Sequence, residues 1–211
     1  MKKAILIIAM ITLSATNSIA QSTSDNRDKL SFGLKAGANF SNVYDTESDD
    51  FVADGKFGFA GGGFVVIPLG KLFGLQPEVL YSQKGYKSTG TFLGTPYSMT
   101  RTTEFIDIPL LVSIKPVEYV SLLFGPHFSY LMKQTDDFTG GSLSSTQEQE
   151  FENSNLRKNI FGLTGGADLN FDHLVIGLRA GWDLKNNDGD GNSTTPRYKN
   201  MWYQATIGYK F

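Results

Sequence analysis

The sequence alternates between apolar and polar or small residues along most of its length, and a period of two predicts β-strands. The clearest run lies between His173 and Lys185, where the apolar face consists of Leu174, Ile176, Leu178, Ala180, Trp182 and Leu184. The other face of that run consists of Val175, Gly177, Arg179, Gly181, Asp183 and Lys185. After residue 20, no stretch keeps the 3.6-residue apolar period of a helix over three turns. The sequence therefore predicts an all-β fold.

Eight segments carry enough of this alternation to be predicted as strands. They are 30–41, 56–69, 71–86, 97–115, 118–134, 157–171, 173–185 and 202–211. The connections alternate in length, because 42–55, 87–97, 135–156 and 186–197 are long and polar, whereas 69–71, 116–118 and 171–173 are tight. Long loops on one side and short turns on the other are typical of an up-and-down outer-membrane barrel with both termini in the periplasm.

The polar face of the strands carries charged side chains, and these decide which face of the barrel meets lipid. They are Lys35, Glu78, Asp107, Asp168, Arg179 and Asp183. Burying them in a dry apolar core is costly unless each is paired, so we expect the apolar face to meet lipid and the charges to line the lumen. An eight-stranded lumen is just wide enough for side chains. We therefore expect Arg179 to contact at least one carboxylate and the network to occlude the channel. The predicted fold is an eight-stranded antiparallel up-and-down transmembrane β-barrel.

The N-terminus has the pattern of a cleaved secretory signal peptide. Two lysines precede an apolar stretch at 4–13, and small residues at 18 and 20 precede a cleavage site that leaves Gln21 as the first mature residue. The apolar stretch is too short to span a bilayer, which requires about 20 residues. We therefore divide the chain into a signal peptide at 1–20, a short polar lead-in at 21–29 and an outer-membrane barrel domain at 30–211.

The composition excludes several classes of function. The chain has no cysteine, which excludes disulfides, thiolate metal sites and cysteine nucleophiles. Its 19 basic and 21 acidic residues give no polycationic surface for nucleic acid. Only 40% of the residues are hydrophobic, which excludes a polytopic helical membrane protein. The sequence has no phosphate-binding loop and no pair of histidines at metal-binding spacing, so no cofactor is expected.

One group of predicted lumen residues has the composition of a catalytic triad. If a three-residue turn at 116–118 joins its strands, His127 lies directly across from Asp107, and Ser129 lies two residues further along. Such a group is similar to those of outer-membrane lipid A deacylases and omptin proteases. We favour a structural hydrogen-bonded pair, because catalytic groups must reach lipid or the outer mouth and this pair is expected in mid-barrel. The other histidine, His173, is expected on the surface of a tight turn.

Two features of the long loops suggest cation binding, and each has a simpler interpretation. Residues 188–192 (DGDGN) resemble the start of a calcium loop, but the twelfth position is Lys199, so a glycine-rich hairpin loop is favoured. Acids crowd the first and third long loops, at Asp45, Glu47, Asp49, Asp50 and Asp54 and at Asp136, Asp137, Glu148, Glu150 and Glu152, and the third loop has no base. Acidic loops are able to share divalent cations with lipopolysaccharide phosphates, although simple solvation is the favoured interpretation.

Several short motifs stand in an order that resembles one family. They are GLKAGANFS at 33–41, LQPEVLYSQKG at 75–85, IDIPLL at 106–111, FGP at 124–126 and GYKF at 208–211. Together they resemble the Bacteroidetes-type outer-membrane β-barrel domain, called porin-family or PorT-like, over residues 30–211. The resemblance implies an eight-stranded barrel in the outer membrane of a Gram-negative cell, and some PorT-like members are associated with type IX secretion and gliding. The terminal Phe211 resembles the assembly signal that outer-membrane barrels present to the barrel assembly machinery.

These observations predict a non-enzymatic barrel that contacts outer-membrane lipid and lipopolysaccharide and acts through its extracellular loops. One alternative is an accessory component of a secretion system, in contact with secretion or envelope proteins. Another is a small outer-membrane hydrolase that uses His127. The residues expected to form a polar network in the lumen are Lys35, Glu78, Asp107, His127, Asp168, Arg179 and Asp183.

Overall fold

The computed structural model describes residues 26–44, 53–92, 95–140, 143–150, 159–185 and 198–211. Within these ranges the chain forms a 3₁₀ turn at Asn26–Asp28 and nine strands. The strands are β1 Ser31–Tyr44, β2 Asp54–Pro68, β3 Phe73–Phe92, β4 Thr95–Val117, β5 Val120–Gly140, β6 Leu143–Glu150, β7 Asn159–Phe171, β8 Leu174–Asp183 and β9 Lys199–Lys210. The predicted signal peptide at 1–20 and the calcium-like stretch at 188–192 lie outside the described residues. Among the described residues, no helix is long and apolar enough to cross a membrane.

Eight of the nine strands form one closed antiparallel ring in the order β1, β2, β3, β4, β5, β7, β8 and β9. The first and last strands of the ring pair from Gly33 opposite Lys210 to Tyr44 opposite Lys199, and this ladder closes the barrel. The remaining strand, β6, pairs with the upper part of β5, from Leu143 opposite Gly140 onwards. The predicted eight-stranded barrel is confirmed, with β6 as an additional strand outside the ring.

Two of the four segments predicted as long loops are paired strands in the structure. β3 and β4 continue as a hairpin to Phe92 and Thr95, so most of 87–97 belongs to a ladder. Much of 135–156 belongs to the end of β5 and to β6. These segments consist mostly of polar residues and keep no regular apolar alternation, so the sequence pattern does not mark them as strands. Their threonines nevertheless favour extended backbone, and the ladder hydrogen bonds hold it.

The extended ends of these strands form a sheet that projects from one end of the barrel. We call this the outer sheet, and it comprises 86–92 of β3, 95–101 of β4, 134–140 of β5 and all of β6. The barrel end that carries the outer sheet is called the upper end, and the end with the short turns is called the lower end. Of the other two predicted loops, 186–197 and the central part of 42–55 lie outside the described residues.

The outward face of the barrel is apolar, with aromatic side chains near both ends. Leu178 is 58% exposed and Ile207 is 65% exposed. Exposed aromatic side chains near the upper end are Phe40, Phe57, Phe59, Phe128, Tyr130, Trp182 and Tyr203, and those near the lower end are Phe32, Phe73, Tyr119, Phe171 and Tyr209. An apolar band between two aromatic girdles is the surface that a barrel presents to lipid. On β8, the side chains predicted to face lipid are exposed: Leu174, Ile176, Leu178 and Trp182.

Tight turns join the strands at the lower end. Residue Gly70 has a φ of 108° in the β2–β3 turn, and Asp172 has a φ of 50° in the β7–β8 turn. Glycine and aspartate are among the residues that tolerate this left-handed region. The β4–β5 turn is one residue tighter than predicted, because Val117 pairs with Val120 and only two residues connect them. The connection also lies later in the chain than the predicted 116–118, and the ladder is irregular between Ile114 and Val117. From Ile114 to Phe105 the ladder therefore lies two residues away from the predicted register.

The described part of the polar lead-in is docked against the lower end of the barrel. Arg27 Nη1 donates to the carbonyl of Lys115 at 3.4 Å, and Lys115 Nζ donates back to the carbonyl of Arg27 at 3.0 Å. The 3₁₀ turn is therefore held at the lower mouth. The predicted loose lead-in at 21–29 is ordered by these contacts from residue 26 onwards.

Candidate functional site in the lumen

The lower layer of the lumen is an ion-pair network that joins four strands. Arg179 of β8 donates from Nη1 to Asp168 Oδ1 at 2.7 Å and from Nη2 to Glu78 Oε1 at 3.3 Å. The ammonium of Lys35 lies 2.5 Å from Glu78 Oε2. Gln76 Nε2 donates to both carboxylates, at 3.0 Å to Glu78 and 3.1 Å to Asp168. Two cations and two anions are thus brought together with a balanced charge.

The middle layer contains a buried lysine whose charge is balanced by one carboxylate. Lys84 Nζ lies 2.9 Å from Asp107 Oδ2 and 3.3 Å from the hydroxyl of Ser129, and Ser129 also donates to Asp107. The ammonium is 4.9 Å from the ring centre of Phe105 and 5.1 Å from that of Trp202. Aromatic faces stabilise a cation electrostatically. The alternation of β3 places Lys84 on the inward face, and β3 continues past the predicted strand end at residue 86 to Phe92.

The predicted pairing of His127 with Asp107 is wrong. In the observed register Pro109 lies opposite His127, and Asp107 lies opposite Ser129. The imidazole instead contacts Asp183 of β8, with Nε2 at 3.2 Å from Oδ1. The β4–β5 connection at 118–119, together with the irregularity between Ile114 and Val117, shifts this part of the ladder by two residues, and a shift of register replaces every cross-strand neighbour. The structure therefore contains the pairs His127–Asp183 and Ser129–Asp107, and it does not assemble a His127–Asp107–Ser129 group.

The surroundings of His127 define where its proton lies. Asp183 Oδ2 accepts from Asn200 Nδ2 at 2.6 Å, and an ionised carboxylate only accepts hydrogen bonds. The tautomer with a hydrogen on Nε2 of His127 donates to Asp183 and satisfies this carboxylate. Nδ1 lies 2.8 Å from the hydroxyl of Thr164 and accepts from it when the imidazole is neutral. His127 is fully buried, so both ring nitrogens are satisfied by the protein without solvent.

The upper layer is a network that the sequence analysis did not identify. Arg101 of β4 forms a bidentate pair with Asp136 of β5, with Nε–Oδ1 and Nη2–Oδ2 distances of 2.7 Å each. Arg101 Nη1 also donates to the hydroxyl of Tyr198 at 2.9 Å, and Tyr198 packs edge-on against Tyr86 with ring centres 5.5 Å apart. The predicted base-free acidic loop thus has a base from the neighbouring strand. Continuing the alternation of β4 upward from Asp107 would have placed Arg101 on the inward face.

Small cavities remain in the upper half of the lumen and at its lower mouth. One of about 10 Å³ lies near Thr103, Gln134 and Ile160 in the upper half of the barrel. Another, of about 50 Å³, lies at the lower mouth between Arg27, Lys115 and Asp168. Apolar side chains fill part of the remaining lumen, including Phe64, Leu80, Phe105, Leu111, Leu123 and Ile160. The predicted network of charges is therefore embedded among apolar side chains that the sequence analysis did not assign to the lumen.

The acidic residues predicted to bind cations are only partly described. Asp54 begins β2 opposite Lys87 of β3, and Asp137 accepts a hydrogen bond from Thr146 at 2.8 Å. Glu148 and Glu150 lie in β6, whereas Asp45, Glu47, Asp49, Asp50 and Glu152 lie outside the described residues. Where the chain is described, no cluster of three or more His, Cys, Asp or Glu side chains is placed to hold a metal ion.

The last residue and the second histidine lie together at the lower end. The amide of Phe211 donates to the carbonyl of Phe32 at 2.8 Å, and the two rings are stacked with centres 5.3 Å apart. His173 is exposed in the β7–β8 turn, as expected, and stacks on Tyr209 at 5.2 Å. Phe211 thus extends the β1–β9 seam that closes the barrel.

A closed ring of strands with an apolar outside and paired charges inside defines a transmembrane β-barrel, because a closed barrel leaves no backbone group unpaired in lipid. The family described as outer membrane protein beta-barrel domain matches residues 19–189. The chain belongs to this family, and it is located in the outer membrane. No curated protein matches the sequence.

Solved outer-membrane barrels resemble the chain in structure at low sequence identity. Ail, the attachment invasion locus protein of Yersinia pestis, is 14% identical with a TM-score of 0.45, over 86% of this chain and 98% of Ail. Neisserial surface protein A is 14% identical with a TM-score of 0.47, over 87% and 99% of the two chains. A major outer membrane protein from Thermus thermophilus is 17% identical with a TM-score of 0.47, over 87% and 100%.

Proposed function

We propose that this protein is a sealed, non-enzymatic outer-membrane barrel that acts as a rigid support for its extracellular hairpins. The observation that carries the proposal is the lower ion-pair network, in which Arg179 bridges Asp168 of β7 and Glu78 of β3 across the lumen. Such contacts tie opposite walls together and occupy the path that an ion would follow. The orientation in the membrane is the one predicted for an up-and-down outer-membrane barrel: the lower end and the chain termini face the periplasm, and the outer sheet lies outside the cell.

Conductance measurements test directly whether the lumen is closed to ions. The purified protein is inserted into planar bilayers, with a sixteen-stranded porin as the positive control. We expect insertion without a stable open channel, because the charged layers and the apolar side chains between them fill the lumen. A large and stable conductance from the wild-type protein would contradict the proposal. Insertion is verified separately by the altered gel mobility of the unheated barrel.

The absence of enzymatic activity is part of the same proposal. His127 is fully buried, and its partners Asp183 and Thr164 leave neither ring nitrogen facing lipid or the outer mouth. A hydrolase acting on lipid A or on proteins needs its base within reach of the substrate. Mass spectrometry of lipid A from cells with and without the protein should give identical profiles. A profile that changes with the wild-type protein but not with His127→Leu would instead support the hydrolase.

A role in secretion is a second candidate, and the motifs that resemble PorT-like barrels favour it. In that role the barrel contacts secretion or envelope proteins at its periplasmic turns or at its outer sheet. Deleting the gene separates the two roles. Loss of secretion or gliding with an intact envelope supports the accessory role, whereas a weakened envelope with normal secretion supports the structural role. Contacts with lipopolysaccharide and with the barrel assembly machinery are expected in both cases.

A further inference from the structure

The lower mouth of the lumen contains a cavity of about 50 Å³ with three basic side chains in its lining. They are Arg27 of the lead-in, Lys115 at the lower end of β4 and Lys210 at the end of β9. A single buried water needs about 10–15 Å³ of such space, so the cavity has room for one small polar group. We call this feature the mouth cavity.

Lys210 carries an ammonium group without a direct partner in the described part of the chain. Its side chain has the inward parity of β9, like those of Gln204 and Thr206, and it is half-buried. Within the described ranges the ammonium forms neither a hydrogen bond nor an ion pair, and only the more distant charges of Asp168 and Asp172 act on it. Because charges that leave water are normally paired, this ammonium favours an anion at hydrogen-bond distance.

Asp168 is already engaged and does not serve as that anion. Its carboxylate accepts from Arg179 Nη1 at 2.7 Å and from Nη2 at 3.0 Å, and Gln76 Nε2 donates to it at 3.1 Å. Both carboxylate oxygens therefore belong to the lower network. The charge of Asp168 is balanced inside the lumen, above the mouth cavity.

Ser121 of β5 supplies a neutral donor to the same cavity. Its side chain is buried and lines the mouth cavity, and its hydroxyl accepts from Asn170 Nδ2 at 3.1 Å. Among the described residues, no acceptor receives the hydrogen of this hydroxyl. A hydroxyl donates one hydrogen bond in addition to those it accepts. Ser121 is thus able to donate to a group inside the cavity.

The other two basic side chains are fixed beside the cavity by their reciprocal backbone contacts. Arg27 Nη1 donates to the carbonyl of Lys115, and Lys115 Nζ donates to the carbonyl of Arg27. These contacts keep a guanidinium and an ammonium at the lower mouth without moving parts of the barrel. Positive charges held in one place attract an anion without a further cost of ordering them.

The charge balance of the mouth cavity favours an anion with a single charge. The lower network is balanced in itself, so the three basic side chains are opposed by Glu118 of the lining and by Asp172, whose charge reaches Lys210. Three positive and two negative charges leave a surplus of one. A carboxylate carries one negative charge, whereas a phosphate monoester carries about 1.5–2 at pH 7. Phe64 and Val66 add apolar lining that suits the carbon chain of a carboxylic acid.

We propose that the mouth cavity binds one carboxylate group, which accepts hydrogen bonds from Lys210 and Ser121 beside the other two basic side chains. The carboxylate belongs either to a free small acid or to the end of a peptide, since both present the same group. The site goes beyond the supporting role proposed above. Binding in micelles does not depend on whether the lumen conducts, so a failed binding test and a failed conductance test identify different errors.

Binding is measured by calorimetry on the folded protein in an uncharged detergent at low ionic strength, because salt screens exposed charges. Acetate is the free small acid, and N-acetyl-dialanine is the peptide end. The C-terminal amide of N-acetyl-dialanine lacks the charge and is the negative control. Inorganic phosphate is the comparison with a higher charge.

Two variants alter the site in different ways. Lys210→Met removes the ammonium and keeps an unbranched side chain, and Ser121→Ala removes the hydroxyl. The matched control is Lys71→Met, which causes the same change of net charge at an exposed position between β2 and β3 that does not line the cavity. Heat-dependent gel mobility verifies that each variant is folded.

We expect at least one of the two carboxylates to bind with a Kd of about 1 mM or tighter. Lys210→Met should weaken this binding by about tenfold and Ser121→Ala by about fivefold, because each removes a hydrogen bond to a charged group. Lys71→Met should keep the affinity to within about twofold, since an exposed charge at a distance contributes little. Binding of acetate alone identifies a free small acid, and binding of N-acetyl-dialanine as well identifies a peptide end.

Three outcomes overturn the proposal. The first is that neither carboxylate binds at about 10 mM, a concentration well above the expected Kd. The second is that phosphate alone binds, or that the amide binds as tightly as the acid. The third is that Lys210→Met and Ser121→Ala both bind the carboxylate as tightly as Lys71→Met does.

Discussion

His127 Nε2 lies 3.2 Å from Asp183 Oδ1, and this contact joins the β5 wall of the barrel to the upper end of β8. Asn200 of β9 donates to the other oxygen of the same carboxylate at 2.6 Å. The strand ends on both sides of residues 184–199 are therefore held by one buried carboxylate. Above it, Arg101 holds Tyr198 near the beginning of β9. Buried side chains of the lumen thus hold the end of β8 and the beginning of β9 in place.

Replacing His127 by leucine tests this arrangement. The variant leaves Asp183 with one hydrogen-bond donor fewer in a buried site, so we expect the free energy of unfolding to fall by about 1–3 kcal/mol. Urea unfolding of the barrel in lipid vesicles measures the change. The control is His173→Leu at the exposed turn, with an expected change within about 0.5 kcal/mol. Equal stability of the two variants would show that the buried contact contributes nothing.

Replacing Arg179 by methionine tests the lower network. The change removes the cation that contacts Asp168 and leaves that carboxylate buried without its ion pair. Removing one partner of a buried ion pair lowers the free energy of unfolding by about 3–5 kcal/mol, and we expect a loss of this size, measured by urea unfolding in lipid vesicles. The matched control is Lys185→Met, which removes a positive charge from an exposed position at the end of the same alternating run. If Arg179→Met lowers the free energy of unfolding by no more than Lys185→Met does, the lower network is not important for stability.

Placing arginine at residue 178 tests the lipid-facing surface. Leu178 is exposed and lies between the two aromatic girdles, so Leu178→Arg puts a charge near the bilayer midplane. We expect Leu178→Arg to lower the folding stability of the barrel in the membrane by about 2–4 kcal/mol, and the control Leu184→Arg, near the interface, to lower it by about 0–1 kcal/mol. Folding titrations in vesicles report both values. Equal costs at the two positions would contradict the assigned membrane boundaries.

Deleting Phe211 tests its role as an assembly signal. The residue stacks on Phe32 at the seam that closes the ring, but it follows the last residue of β9. We expect much less folded barrel in the outer membrane of living cells, with only a small loss of stability after refolding of the purified variant, because the deletion removes one backbone hydrogen bond and the ring contacts at the end of the seam. Heat-dependent gel mobility of both samples gives the comparison. A parallel loss of stability in the refolded sample would assign Phe211 a packing role instead.

Alternation alone was sufficient to assign the two faces of several strands. Arg179 and Asp183 point into the lumen while Leu178 and Trp182 face outward, and all four positions follow from the period of two. The same rule places Lys35, Glu78 and Asp107 inside. The rule works because successive residues of a strand point to opposite faces, and lipid and lumen select different side chains.

The partners of these side chains could not be derived in the same way. A turn at 118–119 instead of 116–118, with an irregularity next to it, placed Pro109 instead of Asp107 opposite His127. Contacts across the lumen, such as Glu78 with Arg179, join residues that are 101 positions apart. A local sequence pattern does not indicate which residues on opposite walls of the barrel come into contact.

The all-β class, the lipid-facing side of the strands and the charges on the inward face all follow from the order of the amino acids, because each depends on the local period of the chain. The register, the ion-pair partners, the Arg101–Asp136 pair and the outer sheet with β6 emerge when the barrel is folded. These features depend on how the closed ring aligns strands that are far apart in the sequence. They also include polar hairpins held by backbone ladders, which leave no apolar pattern in the sequence to read.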